Sequence, residues 1–271
     1  MHAIATRAFF VPARDGYRFC IEHRPANGAP RRAAVFVHGF AEEMNKSRRT
    51  VALAARALAN AGFVTLQIDL HGCGDSSGDF GEATWDTWST DVLGALDLVA
   101  REYAVPCWLW GLRAGTLLCA RIASEKPDLD LLLWQPVISG QQHLNQFLRL
   151  AAASGIVGKT GRDSTQNLSS QLTDGKSVEV AGYALNPALA AGLSKAKLEL
   201  PVGFKGRVVW LEVAGDANPE LSLPAQTHVA KLRAAGIAVH AQAAAGRPFW
   251  QSLEIEESTA LVDLTVHCLD A

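Results

Sequence analysis

The sequence of 271 residues predicts an α/β fold with a mainly parallel, eight-stranded sheet, helices on both of its faces and a helical cap insertion. Three observations support this fold class. Apolar runs of strand length alternate with segments of helical periodicity, as in βαβ units. Residues 105–126 contain a strand pattern, a glycine turn and a helix pattern in that order. Apolar residues make up 49% of the chain and charged residues 19%, which indicates a globular protein with a sizeable core.

The strands are predicted from short apolar runs separated by turn and loop residues. An N-terminal hairpin is expected around the Ala-Arg-Asp-Gly turn at 13–16, at one edge of the sheet. Two uniformly apolar runs are typical of central parallel strands, because such strands are buried on both faces. The predicted strands are 7–11, 17–23, 33–38, 64–69, 105–110, 131–137, 207–213 and 237–242.

Helices are predicted where apolar residues recur every three or four positions. One such segment ends before Gly62, and glycine commonly follows the last residue of a helix. Another carries Trp88, Val92, Leu96 and Val99 on a single stripe, as expected of an amphipathic helix. The predicted helices of the core are 50–61, 84–102, 116–126 and 261–269.

The alternation of strands and helices lapses between residues 138 and 200, an interval of about 60 residues that is longer than an ordinary connection. It contains helical patches at 143–153 and 187–196. We interpret 138–200 as the cap insertion, with 1–137 and 201–271 forming the core. Ligands bind beyond the carboxyl ends of the strands in such sheets, so we expect a pocket below the cap. We expect His143, at the polar start of the cap, to be solvated.

The glycine turn has the spacing of a nucleophile elbow, the sharp strand-to-helix turn written G-x-S-x-G. Residues 110–115 read Trp-Gly-Leu-Arg-Ala-Gly, so Arg113 stands where that pattern has serine. A guanidinium stays protonated and offers only hydrogen-bond donors, and therefore Arg113 is not a nucleophile. The scaffold of the elbow is predicted, whereas its usual chemistry is not.

Two further loops carry a resemblance to a known family. Residues 37–40 read Val-His-Gly-Phe after one strand, and residues 68–78 read Ile-Asp-Leu-His-Gly-Cys-Gly-Asp-Ser-Ser-Gly after the next. Together with the elbow, these motifs resemble α/β-hydrolases of the monoacylglycerol lipase and S33 peptidase type. The resemblance covers nearly the whole chain and implies the α/β-hydrolase fold.

Three segments resemble a narrower group, the exosortase A system-associated hydrolases of type 2. They are residues 40–46 (Phe-Ala-Glu-Glu-Met-Asn-Lys), 109–115 and 134–140 (Trp-Gln-Pro-Val-Ile-Ser-Gly). That group is encoded in bacterial loci that pair exopolysaccharide synthesis with the sorting of PEP-CTERM proteins. The resemblance implies such a setting, and its hydrolase name rests on fold.

The family pattern transfers to this chain only in part. The resemblance implies an oxyanion hole made of the backbone N–H groups of Phe40 and Ala114, which need no particular side chain. The position of the catalytic acid is occupied by Asn218, with Asp216 two residues earlier, and the position of the histidine base by Arg247. The Ser-Asp-His triad is therefore replaced by Arg113, Asn218 and Arg247.

The replacements favour an anion site. Arg113 begins a helix, where backbone N–H groups already favour negative charge, and Arg247 is expected to converge on the same place. His38 and Gln135 lie in loops expected around the pocket, although a histidine at position 38 more often fixes the oxyanion loop by hydrogen bonds. The alternative is that acidic residues pair with the arginines and fill the pocket as a polar plug.

Three other residues are candidates for the chemistry. Glu42 and Glu43 lie one loop away from Arg113, so either is expected to form a bidentate ion pair with it or to act in general acid and base catalysis. Cys73 is a candidate thiol nucleophile, with a structural role in its glycine turn as the alternative.

Composition excludes several classes of function. The formal charge of -2 gives no basic surface for nucleic acid. The five cysteines are scattered and the eight histidines lack metal-ligand spacing, so we expect neither a metal nor a cofactor, and a reducing cytoplasm. Neither a signal peptide nor a span of about 20 apolar residues is present, which disfavours secretion and membrane insertion.

Two functions of different class remain open at this level. The first is a hydrolase or transferase that acts on an anionic acyl or glycan-related substrate. The second is a catalytically inactive relative that senses an anionic small molecule or binds proteins of the same locus. An empty pocket with paired arginines favours an enzyme or a sensor, and a pocket filled by Arg–Glu pairs favours a scaffold.

Overall fold

The computed structural model describes residues 3–153, 161–215 and 218–270. Its main sheet has eight strands in the order β1-β2-β4-β3-β5-β6-β9-β10. The strands of this sheet are β1 (Ile4–Ala13), β2 (Gly16–Pro25), β3 (Arg32–Val37), β4 (Phe63–Ile68), β5 (Cys107–Leu112), β6 (Asp130–Trp134), β9 (Val208–Ala214) and β10 (Val239–Ala245). The predicted α/β fold class is confirmed.

Pairing within the sheet follows the sequence pattern. Strands β1 and β2 form the expected antiparallel hairpin, with Ala13 opposite Gly16, and β2 pairs antiparallel with β4. All other neighbours in the sheet are parallel. Strand β3 lies between β4 and β5 and is almost entirely buried, which explains its uninterrupted apolar sequence.

Helices cover both faces of the sheet. They are α1 (Glu42–Asn60), α2 (Trp85–Tyr103), α3 (Gly115–Glu125), α7 (Leu223–Ala234) and α8 (Thr259–Asp270). Apolar residues of α2 and α3 form one buried cluster, and those of α1 and α8 form the other. In the second cluster the rings of Trp110 and Trp134 meet edge to face at 4.6 Å, a geometry worth about 0.5–1.5 kcal/mol beyond area burial.

Helix α1 begins eight residues before the predicted start at position 50. Ala41 precedes it with a positive φ of 50°, and Glu42 and Glu43 lie in its first turn. Carboxylates are favourable there because they face the positive end of the helix dipole. The early start places both glutamates on a rigid helix instead of a loop. Helix α7, which follows an N-cap at Ser222, was not predicted.

The insertion between β6 and β9 contains α4 (Gly140–Ala153), α5 (Gly161–Thr173), β7 (Val178–Val180), β8 (Tyr183–Leu185) and α6 (Pro187–Lys195). Strands β7 and β8 form a small antiparallel hairpin that the sequence did not indicate. Asn186 caps α6 by accepting from Leu189 N–H at 2.9 Å, and its amide donates to Gly81 O at 3.0 Å. This contact joins the insertion to the loop before α2. Among the described residues, no helix has the length and apolar character needed to cross a membrane.

Candidate functional site

The elbow between β5 and α3 has the expected geometry. Arg113 adopts a positive φ of 52°, which is unusual for a side chain other than glycine. Its N–H donates to Trp134 O at 3.0 Å, and its carbonyl accepts from the Thr116 hydroxyl at 2.6 Å. A Cβ atom at Gly115 would overlap the carbonyl oxygen of Val37. Backbone contacts therefore hold the turn and raise the side chain at position 113 above the sheet.

Arg113 forms an ion pair with Glu43. Its Nε donates to Glu43 Oε1 at 2.9 Å, and the two side chains are 16% and 17% exposed. No N–H group on Nη1 or Nη2 of Arg113 donates to an acceptor within the part of the chain that the structure describes. The guanidinium carbon lies 5.5 Å from the centre of the Trp250 ring, within cation–π distance. A single bond thus replaces the expected bidentate pair, and of the five N–H groups of the guanidinium the four on Nη1 and Nη2 remain available.

The second oxygen of Glu43 binds one of the two donors of the expected oxyanion hole. Glu43 Oε2 accepts from the Phe40 N–H at 3.3 Å, which is one of the two backbone donors inferred from the family pattern. The other donor, the Ala114 N–H, has no acceptor in the described residues. One carboxylate therefore neutralises the cation at the elbow and satisfies half of the oxyanion hole.

His143 lies beside this carboxylate, and the expectation that it is solvated was wrong. It is 5% exposed because α4 carries it beneath the cap, with its ring 6.0 Å from that of Phe40. Its Nε2 lies 3.7 Å from Glu43 Oε2, and its Nδ1 has no partner among the described residues. Burial lowers the pKa of His143 below its ordinary value, an effect that the charge of Glu43 opposes and that of Arg113 reinforces. His143 is therefore neutral at pH 7.

A cavity of about 250 Å³ opens above the ion pair. Helix α4 contributes side chains at helical spacing, namely His143, Gln146, Phe147 and Leu150. The other residues that line it come from α1, the elbow, the β7–β8 turn and the loop after β10: Phe40, Glu42, Glu43, Lys46, Arg113, Ala181, Tyr183, Trp250 and Gln251. The predicted pocket below the cap is present at the carboxyl ends of the strands.

The second arginine does not converge on this cavity. Arg247 has an 81% exposed side chain, lies 3.5 Å from Glu256 Oε1 and does not line the cavity. Asn218 is exposed, and Asp216 lies outside the described residues. Gln135 does not line the cavity either, because its side-chain oxygen accepts from Val213 N–H at 2.9 Å and ties β6 to β9.

Glu42 and Cys73 have surroundings that differ from that of Glu43. Glu42 Oε2 accepts from the Tyr183 hydroxyl at 2.9 Å and from the Asn45 amide at 3.1 Å, so it joins α1 to β8. Burial, reinforced by this hydrogen bond, raises the pKa of Tyr183. Cys73 is buried away from the cavity, and burial together with the charges of Asp69 and Asp91 raises its pKa, which disfavours the thiolate needed for attack.

His38 supports the loop and does not line the cavity. Its Nδ1 lies 2.8 Å from Gly39 O, and its Nε2 accepts from the Leu70 N–H at 3.3 Å. An acceptor role for Nε2 requires the neutral ring with its proton on Nδ1. Burial lowers the pKa of His38, in agreement with that form. No group of three or more possible metal ligands occurs among the described residues.

Comparisons with known proteins agree with this architecture. A family model described as serine aminopeptidase, S33, matches residues 28–196. Est1E from Butyrivibrio proteoclasticus, solved with ferulic acid bound, is 17% identical with a TM-score of 0.67, over 97% of this chain and 96% of that one. A carboxyl esterase from Bacillus coagulans, solved with glycerol, is 17% identical with a TM-score of 0.63, over 98% of this chain and 97% of that one.

A third solved structure, an alpha-beta serine hydrolase homologue from Coxiella burnetii, is 15% identical with a TM-score of 0.57, and the match covers 97% of both chains. At such identities, these likenesses show the fold alone. A comparison with curated protein sequences finds no match to this chain.

Proposed function

The chain belongs to the serine aminopeptidase S33 family, and from this premise we propose that it binds a small anionic ligand beneath the cap without forming an acyl-enzyme at the elbow. The observation that carries the proposal is the pairing of Glu43 with both Arg113 and the Phe40 N–H. A carboxylate of the protein itself already takes one of the backbone donors with which a serine hydrolase stabilises its intermediate.

Anion binding is supported by the part of Arg113 that Glu43 leaves free. Its Nη groups have no acceptor in the described residues, and Arg113 lines the cavity. The elbow also lies at the N-terminus of α3, where the dipole favours negative charge. Both features suit a ligand with a negative charge at its buried end.

Ordinary serine hydrolysis is disfavoured because each part of its machinery is altered. Position 113 offers no nucleophile, and the arginine at the position of the base is exposed on the surface. Without a nucleophile and a base, the oxyanion hole and substrate binding alone accelerate the reaction by a factor of about 10³ to 10⁴ over water. Here Glu43 takes one of the oxyanion donors as well.

A second candidate function is a hydrolase or transferase acting on an anionic acyl or glycan-related substrate. The observation in its favour is the proximity of Glu43 Oε2 to His143 Nε2, at 3.7 Å, beside an Ala114 N–H that has no acceptor among the described residues. In this alternative Arg113 holds the substrate and Glu43 activates a water molecule as general base.

The cellular setting belongs to the same proposal. The segments at 40–46, 109–115 and 134–140 resemble exosortase A system-associated hydrolases, and we propose a cytoplasmic protein that works with other proteins of such a locus. The ligand would then be a small anionic compound of that pathway.

Labelling and binding test the proposal together. The full chain is incubated with a fluorophosphonate probe and with 4-nitrophenyl butyrate, and its thermal unfolding is followed with hexanoate, hexyl sulfate, hexyl phosphate and hexanol. We expect no stoichiometric adduct, no hydrolysis beyond that of the Arg113→Leu variant, and a larger rise in Tm with at least one anion than with hexanol.

Three results would overturn the proposal. A stoichiometric adduct located by peptide mass spectrometry would identify an activated nucleophile. Hydrolysis of 4-nitrophenyl butyrate by the unaltered protein that is lost in both Arg113→Leu and Glu43→Gln would favour the second candidate function, a hydrolase or transferase. Equal rises in Tm with the anions and with hexanol would rule out a preference for anions.

A further inference from the structure

On the basis of the proposed function, we infer that the ligand is a monocarboxylate with a short apolar body, bound through the Nη1–Nη2 edge of Arg113. This goes beyond anion binding because it assigns the head group, the charge and the size of the ligand. Each assignment comes from a separate feature of the cavity.

The head group is assigned by the geometry of the guanidinium. Glu43 uses the Nε–H of Arg113, which leaves the two Nη groups as a planar edge with parallel N–H bonds. The two oxygens of a carboxylate match this edge in one plane, as in fork-to-fork pairs. The Trp250 ring, 5.5 Å from the guanidinium carbon, restricts the space around its plane. A flat head group therefore fits better than a tetrahedral one.

The charge of the ligand is limited by the acidic residues nearby. Four charged side chains line the cavity, two acidic (Glu42 and Glu43) and two basic (Lys46 and Arg113). The charges of these four side chains sum to zero. A dianionic phosphate ester would add two negative charges beside Glu43, whereas a carboxylate adds one. A single negative charge is therefore favoured.

The body of the ligand is assigned by the walls and the volume. Phe40, Phe147 and Trp250 present aromatic surface, and Leu150, 51% exposed, lies at the mouth. The Tyr183 hydroxyl is bonded to Glu42. A volume of about 250 Å³ is below the ~300 Å³ at which pockets for drug-sized ligands begin, which favours a short body such as that of hexanoate.

Isothermal titration calorimetry of the full chain tests the inference with ligands that differ in defined parts. Hexanoate is compared with hexyl phosphate for the shape and charge of the head group together, with hexanamide for the charge alone and with acetate for the body. We expect hexanoate to bind at least tenfold more tightly than each of the other three. These titrations use the unaltered protein and need no variant to fold.

Variants then locate the site. Arg113→Lys keeps the charge and loses the planar edge, so we expect the Kd for hexanoate to rise at least tenfold. Arg207→Lys is the matched control, because Arg207 also pairs with a carboxylate beside a tryptophan, but outside the cavity. Its Kd should stay within twofold of the unaltered protein.

The outcomes separate this inference from the proposed function. Tighter binding of hexyl phosphate than of hexanoate would overturn the monocarboxylate and leave anion binding intact. If no anion binds better than hexanamide, both fail. An equal loss of hexanoate affinity in Arg207→Lys and Arg113→Lys would overturn the location of the site.

Discussion

Two arginines of this protein lie at opposite ends of the sheet and contact similar side chains. Arg113 follows the carboxyl end of β5 and meets Glu43 and Trp250. Arg207 precedes the amino end of β9 and meets Asp130 and Trp108, with its guanidinium carbon 4.8 Å from the ring centre. The combination of an arginine, a carboxylate and a tryptophan therefore occurs twice, once under the cap and once at the amino end of β9.

The two arrangements differ in how completely the arginine is used. Nε and Nη2 of Arg207 both donate to Asp130 Oδ2, at 3.1 and 2.8 Å, and its backbone N–H donates to Oδ1 at 2.7 Å. Arg207 is 56% exposed, so water satisfies what remains. Arg113 makes one such bond and is 16% exposed. The Arg207–Asp130 pair at the surface joins two strands through three hydrogen bonds. The Arg113–Glu43 pair leaves guanidinium N–H groups free beside a cavity, which suits a ligand.

The largest expected difference between the two ends concerns glycine. Gly115→Ala should destabilise the protein by about 3 kcal/mol or more, because the new Cβ would overlap Val37 O and force the backbone to move. Gly203, at the other end, has a φ of +82°, and a Cβ there would meet no described atom within 4 Å beyond its chain neighbours. Gly203→Ala should cost only about 1 kcal/mol, from backbone strain. Unfolding in urea measures the free energy of unfolding of both variants. An equal decrease in the two would contradict a rigid elbow.

The next difference concerns the carboxylates. Glu43→Ala should cost about 2–3 kcal/mol, since it leaves a mostly buried guanidinium without its partner. Asp130→Ala should cost about 1 kcal/mol or less, because Arg207 is largely exposed. Added acetate should restore stability to Glu43→Ala and leave Asp130→Ala unchanged. The absence of this rescue would show that Arg113 does not accept an external carboxylate.

The smallest effect is the pH dependence of stability that His143 contributes under the cap. His143 has a lowered pKa in the folded state, so the unfolded chain binds its proton more readily. The free energy of unfolding therefore keeps its full value above the ordinary histidine pKa of about 6.5. It decreases as the pH falls below that value, by at most about 1.4 kcal/mol per pH unit from this residue. Glu43 and Arg113 are the charged groups that face it.

The measurement is the free energy of unfolding in urea at about pH 7.5 and 5.5. Three other histidines with lowered pKa values, His23, His38 and His228, contribute the same sign in every variant. The loss on acidification should be smaller in His143→Asn than in the unaltered protein, and unchanged in the exposed His267→Asn control. An equal loss in all three proteins would mean that His143 titrates normally.

The sequence predicted the fold well where short-range patterns decide it. Alternating apolar runs and the glycine spacing at 111 and 115 are local signals, and both the sheet and the elbow agree with them. Pairing of Arg113 with a neighbouring glutamate was also among the expected alternatives. The start of α1 was missed, because the chain enters this helix through Ala41 with a positive φ, which the apolar periodicity of the sequence does not indicate.

The site was less predictable because it depends on which side chains the folded chain brings together. Glu42 and Glu43 are equivalent in sequence, yet successive residues on a helix point in different directions, so one reaches Tyr183 and the other Arg113. His143 is buried because α4 places its ring against Phe40 and beside Glu43. Arg247 follows a strand of the same sheet but remains on the surface beside Glu256.

The backbone of the elbow has an evolutionary consequence. The contacts that fix the turn use the main chain of Arg113 and the hydroxyl of Thr116, and none of them depends on the guanidinium. Selection can therefore exchange the residue at position 113 while the sheet, the turn and the core stay as they are. Among the described residues Glu43 is the only ion-pair partner of the guanidinium, so the charge at position 113 is matched by a single acidic side chain that can change with it on an unchanged scaffold.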